Sequence, residues 1–89
     1  MTDAADSPGA SLESRILALL VGVAPDIDPG AVRPELDFRD QFDFDSMDLF
    51  NFAAAIHTSF GVDIPERDYR NLMSLAKCVA YLRRNTPQA

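Results

Sequence analysis

The chain has 89 residues, which is enough for one domain with a modest core but leaves little room for a walled substrate pocket. Hydrophobic residues make up 47% of it, so disorder throughout is excluded, and the formal net charge of −6 disfavours nucleic-acid binding. The longest apolar stretch runs only from Ile16 to Ala24, whereas about 20 residues are needed to cross a bilayer, so we expect no membrane span.

The first helix is predicted where apolar residues recur at helical spacing, which are Leu12, Ile16, Leu19, Leu20 and Val23. Ser11 is a suitable N-cap, and Pro25 ends the helix because proline cannot continue its hydrogen-bonding pattern. Residues 1–10 are predicted to form a flexible tail, since they are mostly small, polar or helix-breaking.

A long loop is predicted from residue 25 to residue 44, because prolines and a glycine interrupt every periodic pattern there. Four apolar side chains are expected to fix this loop to the core: Leu36, Phe38, Phe42 and Phe44. The segment from Asp37 to Gln41 is predicted to form one helical turn.

The second main helix is predicted to begin at Asp45 or Ser46, with Asp45 as N-cap and Asp48 placed as in a capping box. Its core face consists of Leu49, Phe52, Ala53, Ile56 and Phe60. A second apolar stripe consists of Met47, Phe50 and Ala54. Whether a loop phenylalanine covers this second stripe stays open. Gly61 is predicted to end the helix.

A short third helix and the last main helix complete the predicted fold. Pro65 suits the first position of a short third helix, in which Tyr69 and Leu72 face inward. Ser74 is predicted to cap a last helix, whose core stripe is formed by Leu75, Cys78, Val79 and Leu82. The predicted class is an all-α, antiparallel four-helix bundle, with three main helices, a short third helix and a long first loop. The domain spans residues 11–84, and residues 85–89 form a second flexible tail.

The single cysteine, Cys78, cannot form an internal disulfide. The acidic N-terminus also lacks the apolar segment of a secretory signal. Both features indicate a reducing compartment, so we expect a cytoplasmic protein. The position of Cys78 on a core stripe predicts a small, buried side chain.

The net charge is concentrated in one segment. Eight acidic residues lie between positions 26 and 48 and only Arg33 and Arg39 oppose them, so this segment accounts for the whole net charge of −6. Such a surface attracts basic protein surfaces, which raises the rate of encounter and selects an orientation.

Ser46 lies where the acidic loop meets the second main helix, but the sequence offers it no catalytic partner. The only histidine, His57, is eleven residues along the same helix, roughly 16 Å away at ~1.5 Å per residue. A calcium loop starting at Asp43 would lack the glycine and the bidentate glutamate that such loops need. One cysteine and one histidine do not form a zinc site.

Three segments carry a family resemblance: Phe42-Asp43-Phe44-Asp45-Ser46-Met47-Asp48, Phe60-Gly61-Val62-Asp63-Ile64-Pro65, and Leu72 to Leu82. Together with the order of the helices, they resemble the acyl carrier proteins. The resemblance implies that a phosphopantetheinyl transferase attaches 4′-phosphopantetheine from coenzyme A to Ser46. The arm would carry acyl groups as thioesters, so the protein is expected to be a carrier and not an enzyme.

The resemblance also implies a docking surface for partner enzymes beside the serine, formed by Asp43, Asp45, Met47, Asp48, Phe50 and Ala54. The expected partners are the transferase and acyl-loading and acyl-processing enzymes with basic docking surfaces. The carrier itself is expected to be a monomer without a bound metal.

Two departures from the family pattern are informative. Asp43, followed by the bulky Phe44, stands where glycine is frequent, which predicts a stiffer end of the loop. Glutamates are usual in the middle of the helix, and the matching positions hold Asn51, His57, Thr58 and Ser59. We interpret this as a carrier for a specialised lipid or secondary-metabolite pathway, recognised mainly through its loop acids.

Two alternatives stay open at this point. An aminoacyl or peptidyl carrier of nonribosomal synthesis has the same fold and arm, although such domains usually show Leu-Gly-Gly-x-Ser before the helix, which this chain lacks. An unmodified helical adaptor would bind a protein through its acidic face alone.

Overall fold

A computed structural model describes residues 8–85 of the chain, with side chains from Leu12 onward. Its elements are α1 (Pro8–Val23), a 3₁₀ helix (Pro29–Ala31), α2 (Phe38–Gln41), α3 (Ser46–Phe60), a second 3₁₀ helix (Glu66–Leu72) and α4 (Leu75–Asn85). No strand occurs between residues 8 and 85, and the predicted all-α class is confirmed. Over the same range, no helix combines the length and the hydropathy needed to cross a membrane.

The first helix begins at Pro8, so the prediction of Ser11 as its N-cap is wrong. Proline suits the first turn of a helix, because it has no N–H group to leave unpaired there and its φ is already helical. The predicted tail of residues 1–10 therefore overlaps α1. Residues 1–7, like residues 86–89 of the other predicted tail, lie outside the described residues. The helix ends at Val23, just before Pro25, as predicted.

The three long helices pack around one core. Arg15, in the first half of α1, lies over the ring of Phe60 at 4.2 Å and donates to the carbonyl of Ser59 at 3.4 Å. Both partners are at the end of α3, so the first half of α1 packs beside the end of α3. The fully buried side chains of the three helices are Ile16, Leu20, Phe52, Ile56, Cys78 and Leu82. Their burial supplies the main driving force for folding.

The long loop is tied to the start of α4. The N–H group of Phe38 donates to the carbonyl of Met73 at 2.6 Å, and the N–H group of Ala76 donates to the carbonyl of Pro34 at 3.0 Å. Within the loop, the side-chain amide of Gln41 bonds to the backbone of Arg33 and Leu36. These bonds satisfy backbone groups that have no partner in regular structure, so the loop has a defined path.

The predicted helical turn from Asp37 to Gln41 is confirmed as α2. Of the four expected apolar anchors, Phe38 and Phe44 are buried and Phe42 is half-buried. Leu36 is 39% exposed, so its prediction as a core anchor is wrong. The physical reason is that Leu36 lies in an exposed turn, whose backbone is held by hydrogen bonds from its N–H group to the carbonyl of Arg33 and from the side-chain amide of Gln41 to its carbonyl.

The remaining turns mostly follow the predictions. Gly61 ends α3 with a φ of 68°, a left-handed conformation that favours glycine. The short third helix is a 3₁₀ helix, and Pro65 is its N-cap and not its first residue. The hydroxyl of Ser74 accepts a hydrogen bond from the N–H group of Lys77 at 3.2 Å, so the predicted cap of α4 is confirmed.

Candidate functional site

The start of α3 is held by two reciprocal hydrogen bonds. The carboxylate of Asp45 accepts from the N–H group of Asp48 at 3.0 Å, and the carboxylate of Asp48 accepts from the N–H group of Asp45 at 3.1 Å. The backbone of Asp45 is extended, with φ −103° and ψ −176°, as an N-cap requires. The predicted capping box is confirmed, and it fixes where the helix begins.

Ser46 is the first residue of α3, and its side chain is exposed. The first N–H groups of a helix have no partner within the helix. The capping box uses one of them, that of Asp48, and no described residue accepts from those of Ser46 and Met47. The serine hydroxyl is therefore open to solvent beside two free backbone donors.

The exposure of Ser46 depends on the burial of Phe44, two residues earlier. Phe44 is 4% exposed, and its ring centroid lies 5.5 Å from that of Phe38 and 6.4 Å from that of Phe52. The rings of Phe38 and Phe52 meet edge to face at 5.8 Å, which is a favourable aromatic geometry. This three-ring cluster anchors the end of the loop in the core, so Asp45 and Ser46 lie at the surface.

The second apolar stripe of α3 is exposed. Met47 is 63% exposed and Phe50 is 55% exposed, and Ala54 is also at the surface. Phe44 turns into the core, so it does not cover the stripe. The ring of Phe50 instead lies beside that of Tyr69, with 6.4 Å between their centroids.

The acidic residues around Ser46 have no cationic partner among the side chains that the structure describes. Asp43 and Asp45 are exposed and Asp48 is half-buried, and within residues 12–85 no Lys or Arg nitrogen lies within 4.0 Å of their carboxylates. Asp37, further back in the loop, does pair with Lys77 at 3.7 Å. The negative charge near the serine is thus not neutralised within the described part of the chain.

His57 is held away from the serine. Its Nδ1 atom lies 2.9 Å from the carbonyl oxygen of Val62 and 3.7 Å from a carboxylate oxygen of Asp63, near the end of α3. It follows Ser46 by eleven residues in one helix, a rise of roughly 16 Å, so it cannot take a proton from the serine. Among the described residues, no three His, Cys, Asp or Glu side chains are grouped to hold a metal ion.

The only thiol of the chain is not available for acyl chemistry. Cys78 is fully buried, and this burial raises the pKa of its thiol from 9.0 to about 12. Because the thiolate is the nucleophilic form, such a thiol is unreactive at neutral pH. A thioester on this protein would need a thiol from an added group.

These features describe a small helical module that presents the hydroxyl of Ser46 beside acidic and apolar side chains, with no histidine or metal-binding cluster near it in the described part of the chain. Residues 14–82 match the family model described as phosphopantetheine attachment site. An acyl carrier protein of Acidothermus cellulolyticus is 32% identical over 73 residues, which cover 82% of this chain and 87% of the relative. The meromycolate extension acyl carrier protein of Mycolicibacterium aurum is 32% identical over 68 residues, which cover 76% of this chain and 70% of the relative.

An acyl carrier protein of Myxococcus xanthus is 30% identical over 66 residues, which cover 74% of this chain and 84% of the relative. The chain belongs to the acyl carrier protein family, whose cofactor is covalently attached 4′-phosphopantetheine. The family resemblance found in the sequence is confirmed. A carrier domain of this family is not itself the catalyst.

The start of α3 fits a phosphodiester. The hydroxyl of Ser46 is accessible, and the free N–H groups of Ser46 and Met47 are donors of the kind that bind phosphate oxygens at helix N-termini. The N–H groups of Asp45 and Asp48 are not available to a phosphate, because each already donates to the carboxylate of the other residue. When bound, the group would supply a long arm that ends in a thiol, the nucleophile that the chain itself lacks.

Sequence reasoning did not identify the contact between Phe50 and Tyr69. Tyr69 is half-buried and packs against the core, in line with its prediction as an inward-facing residue, and its ring also lies beside the exposed ring of Phe50. The two residues are nineteen positions apart and belong to different helices, so no periodic pattern links them. The only feature of the sequence that could have suggested this contact is that both residues are aromatic.

Proposed function

We propose that Ser46 is the attachment point of 4′-phosphopantetheine and that the protein carries acyl groups as thioesters on this arm. The observation that supports this proposal is the exposed serine at the first position of α3, with the only histidine of the chain held near the other end of the same helix. In the transfer, the Ser46 oxygen bonds to the pantetheine-bearing phosphorus of coenzyme A. The pyrophosphate bond breaks, the adenosine bisphosphate leaves, and the transferase takes the serine proton.

The test is the intact mass of the protein after incubation with a broad-specificity phosphopantetheinyl transferase and coenzyme A. The wild type is expected to gain one phosphopantetheine and Ser46→Ala none. Ser59→Ala is the matched control, because Ser59 is an exposed serine of the same helix, and it should be modified like the wild type. Modification of Ser46→Ala would contradict the assignment, and a wild type that is never modified would leave only the helical adaptor.

The residues beside Ser46 are proposed to dock partner enzymes: Asp43, Asp45, Met47, Asp48, Phe50 and Ala54. Two properties support this surface. Its carboxylates have no cationic partner among the described residues, so they are available to Lys and Arg side chains of another protein. Its large apolar side chains, Met47 and Phe50, are exposed, and such residues usually mark interaction sites when they are contiguous. The expected partners are the transferase and the acyl-loading and acyl-processing enzymes.

Asp45→Asn separates the charge of this surface from the helix cap. Asparagine caps helices as well as aspartate does, so the free energy of unfolding should change little. We expect kcat/KM for the transferase to fall several-fold at low salt and the difference to shrink as salt rises, since the Debye length is about 8 Å at physiological salt. Asp45→Ala should in addition lower the free energy of unfolding by about 1 kcal/mol, because the bond to the Asp48 N–H group is lost. Equal kcat/KM for wild type and Asp45→Asn at every salt concentration would refute a role for this charge.

The carrier is proposed to act as a monomer in a specialised lipid pathway, in the cytoplasm. The surface of α3 beyond the docking residues supports a specialised role, because the exposed residues there include no carboxylate: Asn51, His57, Thr58 and Ser59. The relative from Mycolicibacterium aurum is named for meromycolate extension, which favours a lipid over another cargo. Efficient acylation and elongation by general fatty-acid synthesis enzymes would argue against this specialisation.

A further inference from the structure

Met47 is the most exposed large apolar side chain among the described residues. It is 63% exposed, against 55% for Phe50 and 39% for Leu36. It is also the second residue of α3 and directly follows the exposed Ser46. An apolar side chain this open to water is available to a partner protein and equally to small reagents in solution.

The sulfur of Met47 gives the docking surface a chemistry that its other members lack. Besides Met47, that surface consists of carboxylates, one aromatic ring and one methyl group, and none of these reacts with a peroxide under mild conditions. A methionine thioether does react, and its product, methionine sulfoxide, is polar and chiral. Oxidation of Met47 would therefore change the docking surface at one defined atom.

The other sulfur atoms of the described residues are protected. Met73 is 7% exposed, and Cys78 is fully buried, which raises the pKa of its thiol to about 12. Peroxides attack thiolates and accessible thioethers, so neither side chain competes with Met47. The remaining methionine, Met1, lies outside the described residues. Within the described part of the chain, exposure thus singles out Met47 as the sulfur that a peroxide reaches.

Oxidation at this position would affect docking more than folding. Met47 and Phe50 are three residues apart on α3, so their exposed side chains are neighbours on one face. A partner that covers this face would have to remove the sulfoxide oxygen from water, which is unfavourable unless the partner offers a hydrogen-bond donor. In the free protein the same oxygen stays in water, so the stability of the fold should hardly change.

We propose that Met47 is a site of reversible oxidation, at which a peroxide makes the docking surface beside Ser46 polar and so slows attachment of the arm. This inference rests on the proposed docking surface and on the proposed attachment at Ser46. In the step, the thioether sulfur bonds to one oxygen of hydrogen peroxide and the O–O bond breaks. Methionine sulfoxide and water are formed, so the sulfur is oxidised and the peroxide reduced. A methionine sulfoxide reductase reverses the step, because two thiols become a disulfide and the oxygen leaves as water.

The first test locates the oxidation by mass. The full chain is treated with dilute hydrogen peroxide, and peptide mass spectrometry measures the oxygen gained at each methionine. We expect Met47 to be oxidised well before Met73. Oxidation of Met73 first would overturn the proposal. So would a Met47 that stays unmodified at peroxide concentrations that oxidise free methionine.

The second test compares transferase kinetics on untreated and oxidised protein. Intact mass first establishes that the untreated protein is loaded, so a failure of the proposed attachment is recognised separately. We expect kcat/KM to fall about tenfold on oxidation, the loss that one unpartnered polar group buried at an interface would cause. Reductases for both sulfoxide epimers should restore it. Equal kcat/KM before and after oxidation would overturn the proposal, as would a loss of stability to urea large enough to explain the slower reaction.

Two variants at the same position assign the effect to this sulfur. Met47→Leu has no sulfur, so peroxide treatment should leave its kcat/KM at the value of the untreated variant. Met47→Gln carries a polar side chain of similar length, so its kcat/KM should be low before treatment and should not fall further. If Met47→Leu lost as much activity on oxidation as the wild type, another residue would be responsible and Met47 would not be the switch.

Discussion

Phe44→Ala is expected to lower the free energy of unfolding by about 3–5 kcal/mol, the usual cost of removing a buried phenylalanine ring. Phe44 is 4% exposed and contacts the rings of Phe38 and Phe52, so its loss leaves a cavity in the aromatic cluster. For a domain stable by roughly 5–15 kcal/mol, this is a large fraction. The end of the loop would lose its anchor, so modification of Ser46 should also slow.

Phe50→Ala is the matched comparison, because it removes the same ring from a position that is 55% exposed. We expect it to lower the free energy of unfolding by only about 0.5–1.5 kcal/mol, the range of one aromatic pair, here that with Tyr69. Its main effect should be on kcat/KM with partner enzymes. Urea unfolding and transferase kinetics on both variants measure the two effects.

Phe44→Leu keeps the comparison measurable if Phe44→Ala does not fold. Leucine fills most of the space, so the protein should stay folded with a smaller loss of stability. The reverse ranking, with Phe50→Ala more destabilising than Phe44→Ala, would show that Phe44 does not anchor the loop. Equal transferase kinetics for Phe50→Ala and wild type would remove Phe50 from the docking surface.

Above about pH 9 the protein should lose stability steadily, because Cys78 is buried. Its pKa is raised from 9.0 to about 12 in the folded state. Below about pH 9 the thiol is protonated in both the folded and the unfolded chain, so its contribution to the free energy of unfolding does not change with pH. Between about pH 9 and pH 12 the unfolded chain releases this proton and the folded protein does not. The free energy of unfolding should then fall by about 1.4 kcal/mol per pH unit, to a total of about 4 kcal/mol.

Urea unfolding at several pH values between 8 and 11, under reducing conditions, measures this slope. Cys78→Ala should be less stable than the wild type below about pH 9 but should lose most of the slope above it, so the slopes are compared and not the absolute values. A smaller slope should remain, because burial and the hydrogen bond to Asp68 raise the pKa of Tyr81 in the folded state. An unchanged slope in Cys78→Ala would mean that the thiol is not the titrating group.

The local features of the chain could be predicted from the order of its residues alone. The helix start at Asp45, its end at Gly61 and the cap at Ser74 all depend on residues within four positions of one another. Such local rules also indicated α2 and placed Ser46 at the first turn of α3. The error at Ser11 is also a local one, because the helix begins three residues earlier, at Pro8, a residue type that suits the first turn of a helix.

Which side chains are exposed could not be predicted in the same way. Leu36 and Phe38 are both apolar loop residues two positions apart, yet one is 39% exposed and the other fully buried. Likewise, the sequence left open whether Phe44 covers the stripe that contains Met47 and Phe50. These outcomes depend on which rings fill a limited core volume, and that competition involves residues from several helices at once.

Short motifs and periodic patterns were therefore enough to predict the class of the fold, the capped turn that carries Ser46 and the resemblance to the carrier family. Only the packed structure shows that Phe44 is buried while Phe50 is exposed, and that Ala54 and Tyr69 line one groove. The reason is that these contacts join residues far apart in the chain, and close packing selects among side chains that hydrophobicity alone does not distinguish.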